Sequence, residues 1–337
     1  MKRVLFEFPG FDQGRLFSAD ARDHVSEPFI YLRDRMRLLG YDLTTADQYA
    51  PREAHAVWFW DVPATAPSGP IRAGLNALRP LAGKPRDRDL LGDCLRADMD
   101  DRLTLFLGEP PVVVAGNGDQ SRWSEFRTVL TWRDDLVDGR RILKFVLPLP
   151  ADHPTVPEVP FRDRRLLVNI TANKHSTHPS ELYSSRLALI RYCERVLPDD
   201  FELYGVGWAN VGDSFPSYRG APRHKWDVYP QFKFGICYEN TDGLPGYVSE
   251  KIFDCMRAAA VPVYLGAPNI SEYVAPEAYV DRRDFVSDED LVRFLRAVDE
   301  QTYAKYREAA RDYLAGDRFA RFLPPAFADN VIAHARL

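Results

Sequence analysis

Cysteine is scarce in this sequence of 337 residues, which has four cysteines and no CxxC pair among them. The scattering of Cys94, Cys193, Cys237 and Cys255 indicates neither a zinc site nor a disulfide framework, and it predicts reduced thiols in a cytoplasmic protein. Long apolar runs are missing too, since no stretch approaches the roughly 18 apolar residues that a membrane span requires. We therefore expect no transmembrane segment, while peripheral contact with a membrane surface stays open.

An excess of basic residues is also absent. The sequence has 44 Lys and Arg against 49 Asp and Glu, a formal net charge of −5. A long nucleic acid requires an extended basic surface, which this balance does not supply. A few Arg and Lys side chains can still form a local anion site, so the composition favours a small phosphorylated ligand.

The length and the apolar pattern predict an α/β protein with two domains. A chain of 337 residues exceeds the size at which one hydrophobic core stops growing. Short apolar runs alternate with segments of helical period, which is typical of βα units around a parallel sheet. The predicted strands cover 3–8, 54–62, 103–107, 129–132, 143–147, 166–171, 201–204, 233–238 and 261–265. The predicted helices cover 27–39, about 180–196 and about 248–259, with further helical segments within 288–314.

A proline-rich segment separates the two halves. Residues 148–160, PLPADHPTVPEVP, contain five prolines, which favour a stiff, extended connection over a helix or a central strand. We therefore predict a first domain over 1–155, a second over 156–315, and a helical tail over 316–337 that can pack back on the first domain.

The most informative segment covers 232–269, FKFGICYENTDGLPGYVSEKIFDCMRAAAVPVYLGAPN. It predicts a strand, a Gly-bearing loop and a helix start. A helix N-terminus offers unpaired N–H groups to an anion, and Lys251 in the first turn adds a full charge, so a nucleoside diphosphate can dock there. Glu239 and Glu250 can accept hydrogen bonds from sugar or ribose hydroxyls. Asn240 shapes the turn between them.

Taken singly, such a Glu-Lys pair is usually an ordinary helix-start pair of charges. The whole string, however, resembles the hallmark of the α-1,3/1,4-fucosyltransferases of glycosyltransferase family 10: aromatic-Glu-Asn, a short loop, Tyr-Val-Thr-Glu-Lys, and a Pro-Val…Gly-x-Pro strand. Ser249 stands where the family usually has Thr. A weaker resemblance extends upstream through 169–194 and 107–139.

The resemblance implies a GT-B architecture of two facing Rossmann-like domains, with the acceptor held by the N-terminal domain and the nucleotide sugar by the C-terminal domain across a cleft. It implies an inverting transferase that moves L-fucose from GDP-fucose to a hydroxyl of a glycan, with an α-1,3 type linkage. The donor-binding residues that it implies are Arg186, Glu239, Asn240, Tyr247, Glu250, Lys251, Asn173 and Lys174.

Inverting transfer needs a base to take the proton of the attacking hydroxyl. Glu109 follows the strand predicted at 103–107 and resembles the family's catalytic Glu, so it is the candidate base. A strand-end carboxylate on the surface is the ordinary alternative for it. Asp61, in the strand-end sequence WFWD, is the alternative base.

No metal or other cofactor is expected. Two DxD-like tripeptides begin at Asp98 and Asp288, but the first lies in a charged stretch and the second at a predicted helix start, where acids are favoured. His175 and His178 are two loop histidines without a further ligand nearby in the sequence. Arg186, Lys251 and the helix N-terminus are expected to stabilise the leaving diphosphate instead.

Two other functions stay open. One is a transferase of the same fold that uses another nucleotide sugar, because a phosphate site is general. The other is a catalytically silent protein that binds nucleotide sugars or carbohydrates. Trp58, Trp60 and Trp123 could stack on an acceptor sugar, although most strand aromatics are core residues. The acceptor and the oligomeric state have no signature in the sequence.

Overall fold

The computed structural model of the protein describes residues 1–20, 24–64, 88–209, 212, 214–335 and 337. In these residues the first half of the chain forms a parallel sheet from β1 (Lys2–Glu7), β2 (Tyr41–Thr45), β3 (Ala56–Trp60), β4 (Leu103–Leu107), β5 (Thr128–Thr131) and β6 (Ile142–Lys144). The strand order is β2-β1-β3-β4-β5-β6. The described residues of this half also form two helices, α1 (Glu27–Leu38) and α2 (Leu90–Arg96).

The second half forms another parallel sheet, from β7 (Arg165–Ile170), β8 (Phe201–Tyr204), β9 (Phe232–Tyr238), β10 (Val261–Leu265) and β11 (Val280–Asp281). Its order is β11-β10-β9-β7-β8. The helices are α3 (Tyr183–Val196), α4 (Glu250–Arg257), α5 (Ile270–Tyr273), α6 (Asp288–Ala297), α7 (Glu300–Ala315), α8 (Asp317–Ala320) and α9 (Pro324–His334). No helix within the described residues is both long enough and apolar enough to cross a membrane.

Both faces of each sheet are covered, which explains the continuous apolar strands. In β4 all five residues are buried, as expected of a parallel strand between two layers. Successive side chains of a strand point to opposite faces. Phe6 thus packs with α1 and α9, whereas Leu5 packs on the other face with α2.

Two helices begin later than the sequence predicts. The backbone of Glu181 forms a bridge with Thr241, so residues 179–182 are held out of helical geometry and α3 begins at Tyr183. The N–H of Ser249 donates to the Glu239 carboxylate, and α4 begins one residue later. Both delays have the same cause, which is contact with a segment distant in the sequence.

The proline-rich segment forms neither a helix nor a strand between 148 and 160. It lies against the second half of the chain: the Leu149 N–H donates to the Phe322 carbonyl at 2.8 Å, and Arg257 Nη1 donates to the Pro150 carbonyl at 2.8 Å. The domain boundary placed at residue 155 stays a prediction.

The end of the chain returns to the first sheet. Phe327 of α9 meets Phe29 of α1 edge to face, with ring centroids 5.6 Å apart. Asn330 Nδ2 donates to the Lys144 carbonyl at 3.1 Å. The C-terminal helix α9 therefore packs into the core of the first sheet, although it follows the second sheet in the sequence.

A polar cluster joins the two halves near the cleft. Asp134, which follows β5, accepts hydrogen bonds from Lys144 Nζ at 2.6 Å and from Asn269 Nδ2 at 2.9 Å. The Tyr273 hydroxyl lies 2.7 Å from both of its carboxylate oxygens. Burial alone would raise the pKa of Asp134, but these donors lower it below the ordinary value.

Candidate functional site

A cavity of about 290 Å³ lies where the carboxyl ends of the two sheets face each other. This is the place where open α/β sheets bind ligands. The first half contributes Glu109, and the second half contributes the rest of the lining: Ile170, Thr171, Ala172, Lys174, Arg186, Lys225, Tyr229, Asn240, Tyr247, Glu250 and Lys251.

Among the described residues of the first half, Glu109 is the one that lines this cavity. It follows β4 and is partly buried, and among the described residues its carboxylate has no hydrogen-bond donor. Burial, and secondarily the charge of Asp61, raise the pKa of Glu109, while Lys251 and Lys174 act in the opposite direction. A partly desolvated carboxylate with a raised pKa suits a general base.

Lys251 forms an ion pair with the buried Glu239. Lys251 Nζ donates to Glu239 Oε2 at 3.0 Å and lies 3.1 Å from Ser249 Oγ. Glu239 is fully buried and also accepts from the N–H and the hydroxyl of Ser249 at 2.8 and 2.7 Å. Burial alone would lower the pKa of Lys251, but Glu239 and Glu250 raise it, so the ammonium stays charged.

The prediction that Glu239 accepts hydrogen bonds from ligand hydroxyls needs correction. Its carboxylate oxygens are used by Ser249 and Lys251, and it is absent from the cavity lining. The strand-end geometry after β9 turns its side chain into the protein, where it orients Lys251.

Glu250 faces the cavity beside a second lysine. Its side chain is 47% exposed, and Lys225 Nζ lies 4.0 Å from Glu250 Oε1. Lys225 also contacts Asp254 Oδ2 at 2.7 Å. Burial opposes the charge of Glu250, but Lys251 and Lys225 lower its pKa below the ordinary value. Glu250 is therefore a charged carboxylate in the cavity wall.

Arg186 of α3 is a buried cation at the base of the cavity. It is 4% exposed. Its Nη1 donates to Thr171 Oγ1 at 2.7 Å, and its Nη2 donates to the carbonyls of Tyr238 and Glu239 at 2.8 and 2.9 Å. The guanidinium thereby ties the ends of β7 and β9 together while its charge remains in the cavity wall.

Tyr247 and Asn240 complete the C-terminal side of the cavity. The Tyr247 ring packs against Trp132 of the first half, with centroids 4.7 Å apart. Asn240 accepts the Leu182 N–H through its carbonyl at 3.1 Å, which leaves its side chain for the cavity. The loop between β9 and α4 thus spans the cleft.

Of the other predicted residues, Lys174 lines the cavity and Asn173 does not. Asn173 Nδ2 donates to the Gly207 carbonyl at 3.0 Å, which joins the loops after β7 and β8. Asp61, the alternative base, is 5% exposed and accepts backbone N–H groups, as described below. Asn173 and Asp61 therefore hold loops in place, and the donor role of Asn173 stays a prediction.

The described residues contain no group of three or more His, Cys, Asp or Glu that could hold a metal ion. Ser287 caps α6 by accepting the Asp290 N–H at 3.1 Å, and Asp288 contacts Arg282 at 2.8 Å. His178 Nδ1 lies 2.9 Å from Ser180 Oγ. The second DxD-like tripeptide is thus a helix start. The four cysteines are buried and free.

Three further residues line the cavity that were not predicted from the sequence: Lys225, Tyr229 and Thr171. Lys225 and Tyr229 lie in two short turns before β9, in a segment without a motif of its own. A lysine next to a Trp gives no signal of its place in a cavity, because that place depends on how α4 packs. Thr171 directly follows β7, and its position at a strand end is the feature of the sequence that could have indicated a place in the cavity.

A larger cavity of about 690 Å³ lies elsewhere, at the amino ends of β3, β4 and β5. Its lining mixes acidic residues such as Asp101 with arginines such as Arg102 and Arg127. Ligands of parallel sheets bind at the opposite, carboxyl ends. We therefore place the functional site in the smaller cavity, which carries the convergent charges.

Comparisons with known proteins agree with this location. Residues 200–320 match the model of "Glycosyltransferase family 10 (fucosyltransferase) C-term". The alpha-(1,3)-fucosyltransferase FucT of Helicobacter pylori is 32% identical over 74 residues, 22% of this chain and 15% of that protein. The alpha-(1,4)-fucosyltransferase of Arabidopsis thaliana is 32% identical over 88 residues, 26% of this chain and 22% of that protein. The matches thus span about a quarter or less of these relatives.

Solved structures resemble the whole chain in fold. An α1,3-fucosyltransferase with GDP-fucose superimposes with a TM-score of 0.55 at 13% identity, covering 100% of this chain and 91% of that one. A mutant of T4 phage BGT in complex with UDP-glucose gives a TM-score of 0.53 at 11% identity and covers 100% of both chains. At these identities the likeness shows the fold alone, and the fold is the predicted α/β, GT-B-like arrangement.

The matched segment includes β9, the Gly-bearing loop, α4 and β10, which together supply Asn240, Tyr247, Glu250 and Lys251 to the cavity. Over this C-terminal segment, the chain is similar to glycosyltransferase family 10.

Proposed function

We propose that the protein is an inverting glycosyltransferase that moves L-fucose from GDP-fucose to a hydroxyl of a glycan, with an α-1,3 type linkage. The observation that carries the proposal is the cavity itself, because it brings a carboxylate from one sheet opposite a set of cationic and hydroxyl-binding groups from the other. The fucosyltransferase names of the family relatives support the choice of donor.

In this proposal Glu109 accepts the proton of the acceptor hydroxyl. The hydroxyl oxygen attacks the anomeric carbon and forms the new glycosidic bond from the face opposite the nucleotide. The bond between the anomeric carbon and the phosphate oxygen breaks, and its electron pair leaves with GDP. Lys251 and Arg186 stabilise the negative charge that develops on the diphosphate, while Glu250 and Asn240 bind hydroxyl groups of the donor.

We propose that no metal ion takes part. Two fixed cations at the cavity wall, Lys251 and Arg186, can perform the charge stabilisation for which other transferases use a divalent ion on carboxylates. We expect activity in EDTA to equal activity in Mg²⁺ or Mn²⁺. A strict need for a divalent ion would contradict this part of the proposal.

The test is a panel of GDP- and UDP-sugars incubated with the protein, with release of the free nucleotide measured with and without candidate glycan acceptors. We expect GDP-fucose to be the preferred donor and release to rise when a glycan with a free hydroxyl is added. A preference for another nucleotide sugar would instead favour a transferase of the same fold that uses a different donor. Donor binding without release for any acceptor would instead favour a silent nucleotide-sugar-binding protein.

A further inference from the structure

A buried carboxylate and a buried carboxamide lie beneath the turn that carries Glu109. Asp61 directly follows β3 and is 5% exposed. Its Oδ1 accepts three hydrogen bonds: from the Gly108 N–H at 2.7 Å, from the Glu109 N–H at 2.9 Å and from Asn117 Nδ2 at 2.6 Å. The backbone of the candidate base is therefore bound by one oxygen atom of a neighbouring strand end.

Asn117 closes the network. Its Nδ2 also donates to the Glu109 carbonyl at 2.7 Å, and its Oδ1 accepts the Val62 N–H at 2.8 Å. Asn117 is itself 5% exposed. The Asn117 side chain thus connects the backbone after β3 with the Asp61 carboxylate and with the turn after β4.

The local backbone is arranged to permit these contacts. Asp61 has φ = 68°, in the left-handed region that residues other than glycine rarely adopt. Such a conformation persists where surrounding contacts fix it, and it occurs often at functional sites. Gly108 lies so close to Trp60 that a Cβ would come within 2.2 Å of the indole nitrogen. The turn is therefore packed directly against the Trp60 ring.

We propose that Asp61 and Asn117 are positioning residues for Glu109, which hold its turn at the cavity and keep the Asp61 carboxylate against the Glu109 backbone. This inference rests on the proposed function, since it assigns Glu109 the role of base. It also removes Asp61 as the alternative base, because Asp61 does not line the cavity and its Oδ1 already accepts three hydrogen bonds.

The charge of Asp61 acts within a defined set of neighbours. Asp61 and Glu250 raise the pKa of Glu109, after burial, and Lys251 and Lys174 lower it. The remaining titratable groups that line this cavity are Arg186, Lys225, Tyr229 and Tyr247. Burial also raises the pKa of Asp61, and its three donors oppose that shift.

Asp61→Asn tests the charge separately from the geometry. The amide oxygen can accept the same three hydrogen bonds, but the negative charge is gone. We expect the acid limb of the pH profile of turnover to move to lower pH, because Glu109 loses protons more readily without a nearby like charge. Turnover at neutral pH should stay within about tenfold of the wild type.

Asp101→Asn is the matched control. Asp101 lies before the amino end of β4, and its side chain is 70% exposed. Asp101→Asn also removes one negative charge, but at the amino end of β4, whereas Glu109 follows its carboxyl end. The pH profile should therefore not move. An unshifted limb in Asp61→Asn, or an equal shift in Asp101→Asn, would overturn the electrostatic role. A loss of about 10⁴-fold in Asp61→Asn would instead make Asp61 the base.

Asn117→Ala tests the geometry. We expect turnover to fall about 10- to 100-fold with donor affinity unchanged, because a small displacement of the base costs rate more than binding. In a Glu109→Gln background the same change should cost little more, since both changes act on one group. Additive losses, with a folded protein by circular dichroism, would overturn the positioning role.

A direct titration separates this inference from the proposed function. The Glu109 carboxyl can be followed by ¹³C NMR of protein labelled at glutamate, with Glu109→Gln identifying its signal. A lower pKa of Glu109 in Asp61→Asn supports the coupling whether or not fucose is transferred. An unchanged pKa contradicts it even if the wild type proves to be an active fucosyltransferase.

Discussion

Lys251 contributes more to the stability of the fold than its sequence position indicates. A lysine in the first turn of a helix that faces a cleft predicts a binding residue with little role in stability. In the structure its ammonium lies 3.0 Å from the carboxylate of Glu239, which is fully buried. Removal of one partner from a buried ion pair leaves the other charge without compensation. The residue is therefore part of the fold as well as of the proposed donor site.

We expect Lys251→Ala to lower the free energy of unfolding by about 3 kcal/mol, because Glu239 keeps only its two contacts with Ser249. Donor affinity should fall at least about tenfold as well. Denaturant unfolding and calorimetric titration with GDP-fucose measure the two effects.

The double change Lys251→Met with Glu239→Gln separates them. It removes both charges, so it should recover most of the lost stability and none of the donor affinity. If Lys251→Ala unfolds at the same denaturant concentration as the wild type, the buried pair contributes nothing and the interpretation of Glu239 is wrong.

At the scale of elements, the loop between β9 and α4 depends on one glycine that meets the other half of the molecule. Gly246 has φ = 86°, and a Cβ there would lie 2.2 Å from the Trp132 carbonyl and 2.8 Å from Asp134 Oδ2. Its N–H donates to Asn269 Oδ1 at 2.9 Å. Close approach across the cleft therefore requires glycine before Tyr247.

Gly246→Ala should displace this loop, lower the melting temperature and weaken GDP-fucose binding at least about tenfold. Gly243→Ala is the matched control, since Gly243 has φ = 74° and no atom within 4 Å of a built Cβ. Both variants have the backbone strain of alanine in the left-handed region, about 1 kcal/mol, but only the first has the clash. Equal donor affinities in the two variants would show that the clash does not matter.

The elements that the sequence predicts best are those whose pattern is local. The strands at 103–107, 201–204 and 261–265 agree with the structure residue for residue, because each is a short and mostly apolar run. β2 was not predicted, because it is an edge strand whose sequence, YDLTT, is largely polar. β11 has only two residues. The starts of α3 and α4 depend on distant contacts that no local pattern contains.

At the scale of the whole molecule, the two halves are joined by the returning tail and by the cluster around Asp134. α9 follows the second sheet in sequence but packs on α1 of the first. Phe327 is 2% exposed there. The C-terminal residues therefore complete a core that begins with β1, and we expect both halves to unfold together.

Phe327→Ala should cost about 3–5 kcal/mol of stability, the range for a large buried side chain. Asp329→Ala on the same helix should cost less than about 1 kcal/mol, because its pair with Arg35 is exposed. Calorimetric unfolding of the two variants checks this. A loss below 1 kcal/mol for Phe327→Ala would mean that α9 is not part of the core.

The site was predictable where its residues are near in sequence. Tyr247, Glu250 and Lys251 lie within one turn and a helix start, so one motif reveals them together. Glu109 joins them only across two sheets, and its place was predicted from a strand end and a family resemblance. The burial of Glu239 and the position of Lys225 depend on the packing of α4. No spacing in the sequence encodes either of them.

The most direct test of the central claim is acceptor-dependent release of GDP from GDP-fucose by the wild type and by Glu109→Gln. We predict turnover by the wild type in EDTA, and a loss of about 10²-fold or more in the variant with GDP-fucose affinity unchanged, because an amide cannot take the proton. Near-normal turnover of Glu109→Gln at saturating substrates, or no release from GDP-fucose by the wild type with any glycan, would contradict the account.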